Sequence, residues 1–235
     1  MNNAPNDRAS RLPRFSLRLL LIIITLAAGC FAVWSSFIEP YRRQAAAVKR
    51  FEKLQPPSRA QMFTFTTTAV RTSSIPGLTV QNVNNESAWH RWLVERAVGK
   101  DEFIKVSGAI MPAGTSEEDL TFILSRLPFL NTLEVSKSDV TVPAAQVLGA
   151  MPELKEVTAN NSNISDEAIA LISNSKSIEQ LRLRGNPVSD QAVDSLGLMS
   201  SLRELYLRWT KVTPEGADRL RQKLPDCKIW HMTTG

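Results

Sequence analysis

The chain has 235 residues, 43% of them hydrophobic and 22% charged, enough to bury one sizeable core, so one principal domain is expected. Its net charge of +5 is unevenly placed: residues 1–60 hold ten Lys/Arg against three Asp/Glu, and residues 61–235 hold eighteen against twenty. The basicity flanks an N-terminal apolar segment, where it suits anionic headgroups, and the remainder lacks the positive footprint of a nucleic-acid binder. Cys30 and Cys227 lie far apart in different segments, which excludes a disulfide framework within the C-terminal domain.

A basic tail, residues 1–18, carries Arg8, Arg11, Arg14 and Arg18, and LLLIIITLAAGCFAVWSSFI follows at 19–38, twenty residues without a charge. At about 1.5 Å rise per residue this stretch reaches roughly 30 Å, the thickness of a bilayer core, and it is expected to form a single transmembrane helix. Trp34 sits near one end, and Glu39-Pro40-Tyr41-Arg42-Arg43 reads as an interfacial stop. A cleaved signal peptide would have a shorter apolar core and a small-residue cleavage site. Leu26 to Cys30 resembles a bacterial lipobox, which makes lipidation of Cys30 the other rival. Ala27 stands where leucine is usual, however, and the eight residues after Cys30 stay apolar, so an uncleaved helix fits better. Lys/Arg occur on both flanks; Arg14 and Arg18 lie closest to the span and Glu39 opens the other side, which favours a cytoplasmic tail and an extracytoplasmic domain.

Residues 39–57 have helical composition, with Val48, Phe51 and Leu54 at three-residue spacing before Pro56-Pro57, and read as a juxtamembrane helix or stalk. Residues 58–100 form a β-rich linker and a capping helix. In it, MFTFTTTAV and LTVQNV are rich in β-branched residues and flank a Pro76-Gly77 turn signal, which suggests a small hairpin. Ser87 reads as the N-cap of a helix over 88–98, whose Trp89, Trp92 and Leu93 make an apolar stripe; this helix is the expected cover for the first repeat.

From 101 to 235 the chain repeats. Residues 127–222 divide into four blocks of twenty-four with no gap. Leu130, Leu154, Ile178 and Leu202 make a first apolar column; Leu133, Val157, Leu181 and Leu205 a second; Val135, Ala159, Leu183 and Leu207 a third; and Val140, Ile164, Val188 and Val212 a fourth. Ser138, Ser162, Asn186 and Thr210 occupy a polar column where a hydroxyl or amide can satisfy backbone groups at the end of each short strand. Thr141, Ser165, Ser189 and Thr213 stand at helix N-caps, followed by small residues at Ala144, Ala168, Ala192 and Gly216 that let each helix lie close to its strand. Residues 103–126 make a degenerate fifth block with Val106, Leu120 and Ile123 in the matching places, and Cys227 to Trp230 supply a final strand in which Cys227 is a core residue.

This L-x-x-L-x-L-x-x-N-x-L spacing is that of a leucine-rich repeat. The V-S-D-x-A-V and V-T-x-E-G forms at 188–193 and 212–216 resemble bacterial leucine-rich repeat proteins close to the cysteine-containing, ribonuclease-inhibitor-like class. Phe15 to Arg18, the span and Tyr41 to Gln44 are similar to membrane-anchored versions of these. The resemblance implies an α/β fold: a leucine-rich repeat solenoid of parallel strands and helices behind one transmembrane helix.

Candidate chemistry is sparse. His90 and His231 fall at opposite ends of the array, and Glu117-Glu118-Asp119 and Asp166-Glu167 fall in first helical turns, where acids favour the positive end of the helix dipole. No enzyme, cofactor or metal is expected. The residues between the core columns point outward from the strands, and there Arg182 lies beside Tyr206 and Arg184 beside Arg208, with Trp209 next along. Opposed like charges cost stability unless solvent or Glu204 relieves them, or unless an acidic ligand uses them. Arg182, Arg184, Tyr206, Arg208 and Trp209 on the concave face are therefore the candidate site for a protein or peptide, an acidic one in particular. The plainer alternative is a solvated strand face with Trp209 packed under the terminal cap, in a structural or envelope-tethered protein without a discrete ligand. Lipid, through the anchor, is the other expected partner; nucleic acid is not.

Overall fold

A computed structural model describes residues 17–54, 78–81, 89, 92–93, 96–97 and 105–232. A seven-stranded sheet runs in chain order: β1 Leu78–Gln81, β2 Lys105–Ile110, β3 Thr132–Glu134, β4 Glu156–Thr158, β5 Gln180–Arg182, β6 Glu204–Tyr206 and β7 Lys228–Trp230. β1 is antiparallel to β2, and every later pairing is parallel. The register steps by one block each time, so that Leu133, Val157, Leu181, Leu205 and Ile229 stand side by side. Strands of three residues cannot bury their own apolar side chains; stacking does it, and this leucine-rich-repeat-like order makes one continuous core from Ala47 to Cys227.

Each strand after β1 except the last is followed by a helix. These are α3 Glu117–Leu124, α4 Val142–Ala150, α5 Asp166–Ile172, α6 Val193–Leu196 with a 3-10 turn Asp190–Ala192 before it, and α7 Pro214–Lys223. The four apolar columns and the inward helix positions are at most 1% exposed. The polar column is buried and bonded across blocks. Asn186 donates from Nδ2 to Ala159 O (2.7 Å) and Leu183 O (2.8 Å), and its Oδ1 accepts from Ser162 N (2.9 Å) and Ile164 N (3.0 Å). Ser162 Oγ donates to Val135 O at 2.8 Å and Thr210 Oγ1 to Leu207 O at 2.8 Å.

Three of the four expected N-caps make their bond: Ser165 accepts from Ala168 N, Ser189 from Gln191 N and Thr213 from Gly216 N. Thr141 does not, and its hydroxyl is buried without a partner. Pro143, at the second helical position, has no N–H and removes one of the two donors that a cap can use.

The N-terminal end departs most from expectation. α1 Leu17–Val33, a π-helical turn Trp34–Ile38 and α2 Glu39–Leu54 form one unbroken helical run, so the helix continues through Glu39-Pro40 past the end of the apolar segment. Pro40 has no N–H and its ring crowds the carbonyl four residues back; the widened turn, in which Glu39 N bonds Trp34 O, accommodates it. α2 is no free stalk either. Tyr41, Gln44, Ala47, Val48 and Phe51 are buried, and the last three join the core. Gln44 Oε1 accepts from Val106 N at 3.0 Å, and Arg50 pairs with Asp119 on α3. α2 thus covers the first repeat, the role expected of helix 88–98. Within that segment, residues 89, 92–93 and 96–97 are helical, and Trp89 and Trp92 are exposed. Of the expected hairpin, β1 is a strand whose partner is β2; the MFTFTTTAV arm lies outside the described residues.

Candidate functional site

The sheet side turned away from the helices gathers all five candidate residues on β5, β6 and the turns that follow them. Arg182 pairs with Tyr206 in register, and Tyr206 with Trp230. The Arg182 guanidinium carbon lies 5.2 Å from the Tyr206 ring centre, and the Tyr206 and Trp230 rings stack at 4.2 Å and 6°. Arg182 also donates to Thr158 Oγ1 (3.3 Å) and Gln180 Oε1 (3.0 Å), while Tyr206 OH donates to Glu204 Oε2 at 3.2 Å. A cation and two aromatic faces in line fix one another's rotamers, so this row is held in place before anything binds.

The second row is centred on Trp209. Arg184 lies with its guanidinium carbon 3.6 Å from the Trp209 ring centre and Arg208 at 5.7 Å. The two like charges, expected to oppose each other directly, both meet the indole. Trp209 is 42% exposed and is not packed under a terminal cap. Its backbone is left-handed, with φ of 57°. Lys137, Asn161 and Gly185, each one block earlier than the next, share that conformation at φ of 61°, 51° and 70°. The repeat turn therefore demands it, and asparagine and glycine meet the demand cheaply; a tryptophan there is strained.

Among the described residues, Arg182, Arg184 and Arg208 have no carboxylate within ion-pair distance, whereas Arg203, Arg219 and Arg221 on other surfaces pair with Asp226, Asp190 and Asp218. Glu134, Glu156 and Glu204 project from β3, β4 and β6 on this face, Arg182 and Lys228 from β5 and β7, and Arg184 and Arg208 stand just beyond β5 and β6. Such a surface can hold an extended anionic segment by charge and by stacking.

Trp230 was missed as a site residue because a terminal strand reads as structure. The left-handed column was legible, since Asn161 and Gly185 are the residue types that such a turn selects.

The remaining polar groups serve the fold. The Asp166 carboxylate accepts from Ser189 N (2.7 Å) and Oγ (2.6 Å), and Asp190 accepts from Thr213 N (2.8 Å) and Oγ1 (2.7 Å), each tying one helix start to the next. The bond from Thr213 N holds Asp190 below the ordinary aspartate range, with lesser help from the Thr213 hydroxyl and from Arg219. Burial raises the Cys227 thiol to about 11, so it is an inert core residue. Cys30 is exposed on α1. His231 is half-buried with Nε2 2.8 Å from Val212 O, and His90 lies outside the described residues. No group of three His, Cys, Asp or Glu among the described residues could hold a metal.

No family model matches the chain, and no curated protein matches it. Solved structures do. Actin-binding site 2 of leiomodin-1 is 17% identical with a TM-score of 0.41, over 50% of this chain and 80% of that one. A leucine-rich repeat protein of Leptospira interrogans is 20% identical with a TM-score of 0.38, over 52% of this chain and 30% of that one. The chain therefore spans less than a third of the Leptospira protein's length. At this distance neither neighbour informs function, and the repeat reading rests on the register and the buried columns.

Proposed function

We propose that this protein is a non-enzymatic protein-interaction module, anchored to a membrane by α1, that binds an acidic protein segment through Arg182, Arg184, Tyr206, Arg208 and Trp209. The observation that carries this reading is a tryptophan held exposed in a strained left-handed turn between two arginines that no carboxylate of the chain neutralises among the described residues. Strain persists where the surroundings enforce it, and it concentrates at binding sites. Arginine and aromatic side chains are also the types that dominate binding energy at interfaces.

The exposed apolar surface of α1 supports the anchor. The helical run Leu21–Leu54 is long and apolar enough to cross a bilayer, and Leu21 to Ser36 are all exposed. An apolar helix of that length has no stable place in water. The proposed layout is a tail over 1–18, a span over 19–38, a helix over 39–57 whose residues 39–54 cover the first repeat, a linker and capping helix over 58–100, and repeats over 101–235. Arg14 and Arg18 beside the span favour an extracytoplasmic repeat domain; protease added to intact cells should then degrade the repeats and spare the tail.

The test of binding is charge reversal, with Arg182, Arg184 and Arg208 all changed to Glu, followed by cross-linking in cells. The membrane-inserted, folded variant should lose a discrete set of partners rich in acidic segments. An unchanged partner set would refute the site and favour a tethered protein without a discrete ligand.

A further inference from the structure

The end of the described structure nearest α1 carries exposed aromatic and basic side chains. Trp89 is 58% exposed and Trp92 61% exposed, the largest side chains so open to solvent among the described residues outside α1. The Trp89 ring meets Phe37 edge-on at 5.6 Å, and Phe37 lies in the π-helical turn at which the apolar run ends. One turn earlier is Trp34, 38% exposed, with the Arg42 guanidinium 5.4 Å from its ring centre; Arg96 stands 5.9 Å from Trp92.

These positions fix a level. A bilayer core of roughly 30 Å takes about twenty helical residues, and a span that begins at Leu19 leaves the hydrocarbon near Phe37. Trp89, from the segment 58–100, touches Phe37 and so stands at its height, one turn from Trp34. Tryptophan prefers that headgroup layer, where its ring is half in hydrocarbon and its N–H in polar surroundings. Arginines beside it face the lipid phosphates. Exposed indoles are costly in water and are accommodated in a headgroup layer.

We propose that this end of the repeat domain is itself a membrane-contact surface, in which Trp89 and Trp92 sit in the headgroup layer beside Trp34 and Phe37, and Arg42 and Arg96 face anionic lipid phosphates. The surface then rests the array on the bilayer at two points, the helix and the tryptophans, and sets its tilt. The proposal depends on α1 being the membrane anchor.

The test uses the full chain in phosphatidylcholine–phosphatidylglycerol vesicles, with Trp34→Phe, Trp209→Phe and Trp230→Phe leaving Trp89 and Trp92 as the emitters. Phenylalanine keeps a ring at each replaced position. Lipids brominated near the glycerol ester should quench the emission by about half, and aqueous iodide should quench far less than it does in a companion variant retaining Trp209 alone. Iodide quenching equal to that of Trp209, with bromolipid silent, overturns the proposal. Protection from iodide without bromolipid quenching overturns it too, because a second protein copy would then cover the indoles. Alkaline carbonate extraction separates the premise: a chain that washes off the vesicles refutes the anchor, whereas one that stays while Trp89 and Trp92 remain open to iodide refutes the contact surface alone.

Discussion

Trp209 joins two properties that conflict in free energy, since an aromatic residue in the left-handed region costs about 1 kcal/mol and here stays exposed. Trp209→Asn, matching Asn161 two blocks earlier, should hold or raise the melting temperature while weakening partner capture. Thermal unfolding and quantified cross-linking on the same preparation check both halves. Asn186 is the opposite case, a residue whose value lies in the fold. Replacing it with Ala strands Ser162 N, Ile164 N and the Ala159 carbonyl, while Leu183 O keeps the Asn186 backbone N–H, and should cost about 3 kcal/mol, read from the melting curve. The core columns and the polar column were legible because a period of twenty-four forces the same environment on each copy. The Arg–Trp geometry was not, since side chains on an open strand face choose among several rotamers and only coordinates show that both arginines turn to one indole.

At the scale of elements, the helix over 39–54 was read from its composition but not from its burial. Val48 and Phe51 look alike on a stalk and on a cap; what separates them is Gln44, whose amide bonds Val106 N at the start of β2. Phe51→Ala should cost about 3–5 kcal/mol and expose the first repeat to hydrogen exchange before the last ones. The acid response also belongs here. Asp119, through Ser116 and Arg50, and Asp190, through Thr213, are both held below the ordinary 3.8. Groups depressed in the folded state add stability that is complete above the unfolded value and is lost as pH falls through the folded one. The melting temperature should therefore drop below about pH 4, and Asp190→Asn should flatten part of that drop. α7 starts close to Asp190 because Gly216 has no Cβ to collide with the carboxylate, and Gly216→Ala should disturb the same junction.

On the scale of the whole molecule, one helical run carries the chain from its apolar segment into the first repeat, and six strands then follow from β2 to β7. At about 4.8 Å per strand, the aromatic and arginine rows stand roughly 15–25 Å from the covered end of the sheet. The proposed anchor and the candidate site are thus at opposite ends of a stack whose core is continuous, and on the proposed function a ligand would be held at a fixed distance from the bilayer. The most direct probe of that site is a photo-cross-linking residue in place of Trp209, compared with one in place of Asp218 on the exposed side of α7. Position 209 should yield a discrete adduct that disappears when Arg184 and Arg208 are changed to Glu, and position 218 should not. No adduct from 209, or the same adducts from both positions, would contradict the assignment of this face as the binding surface.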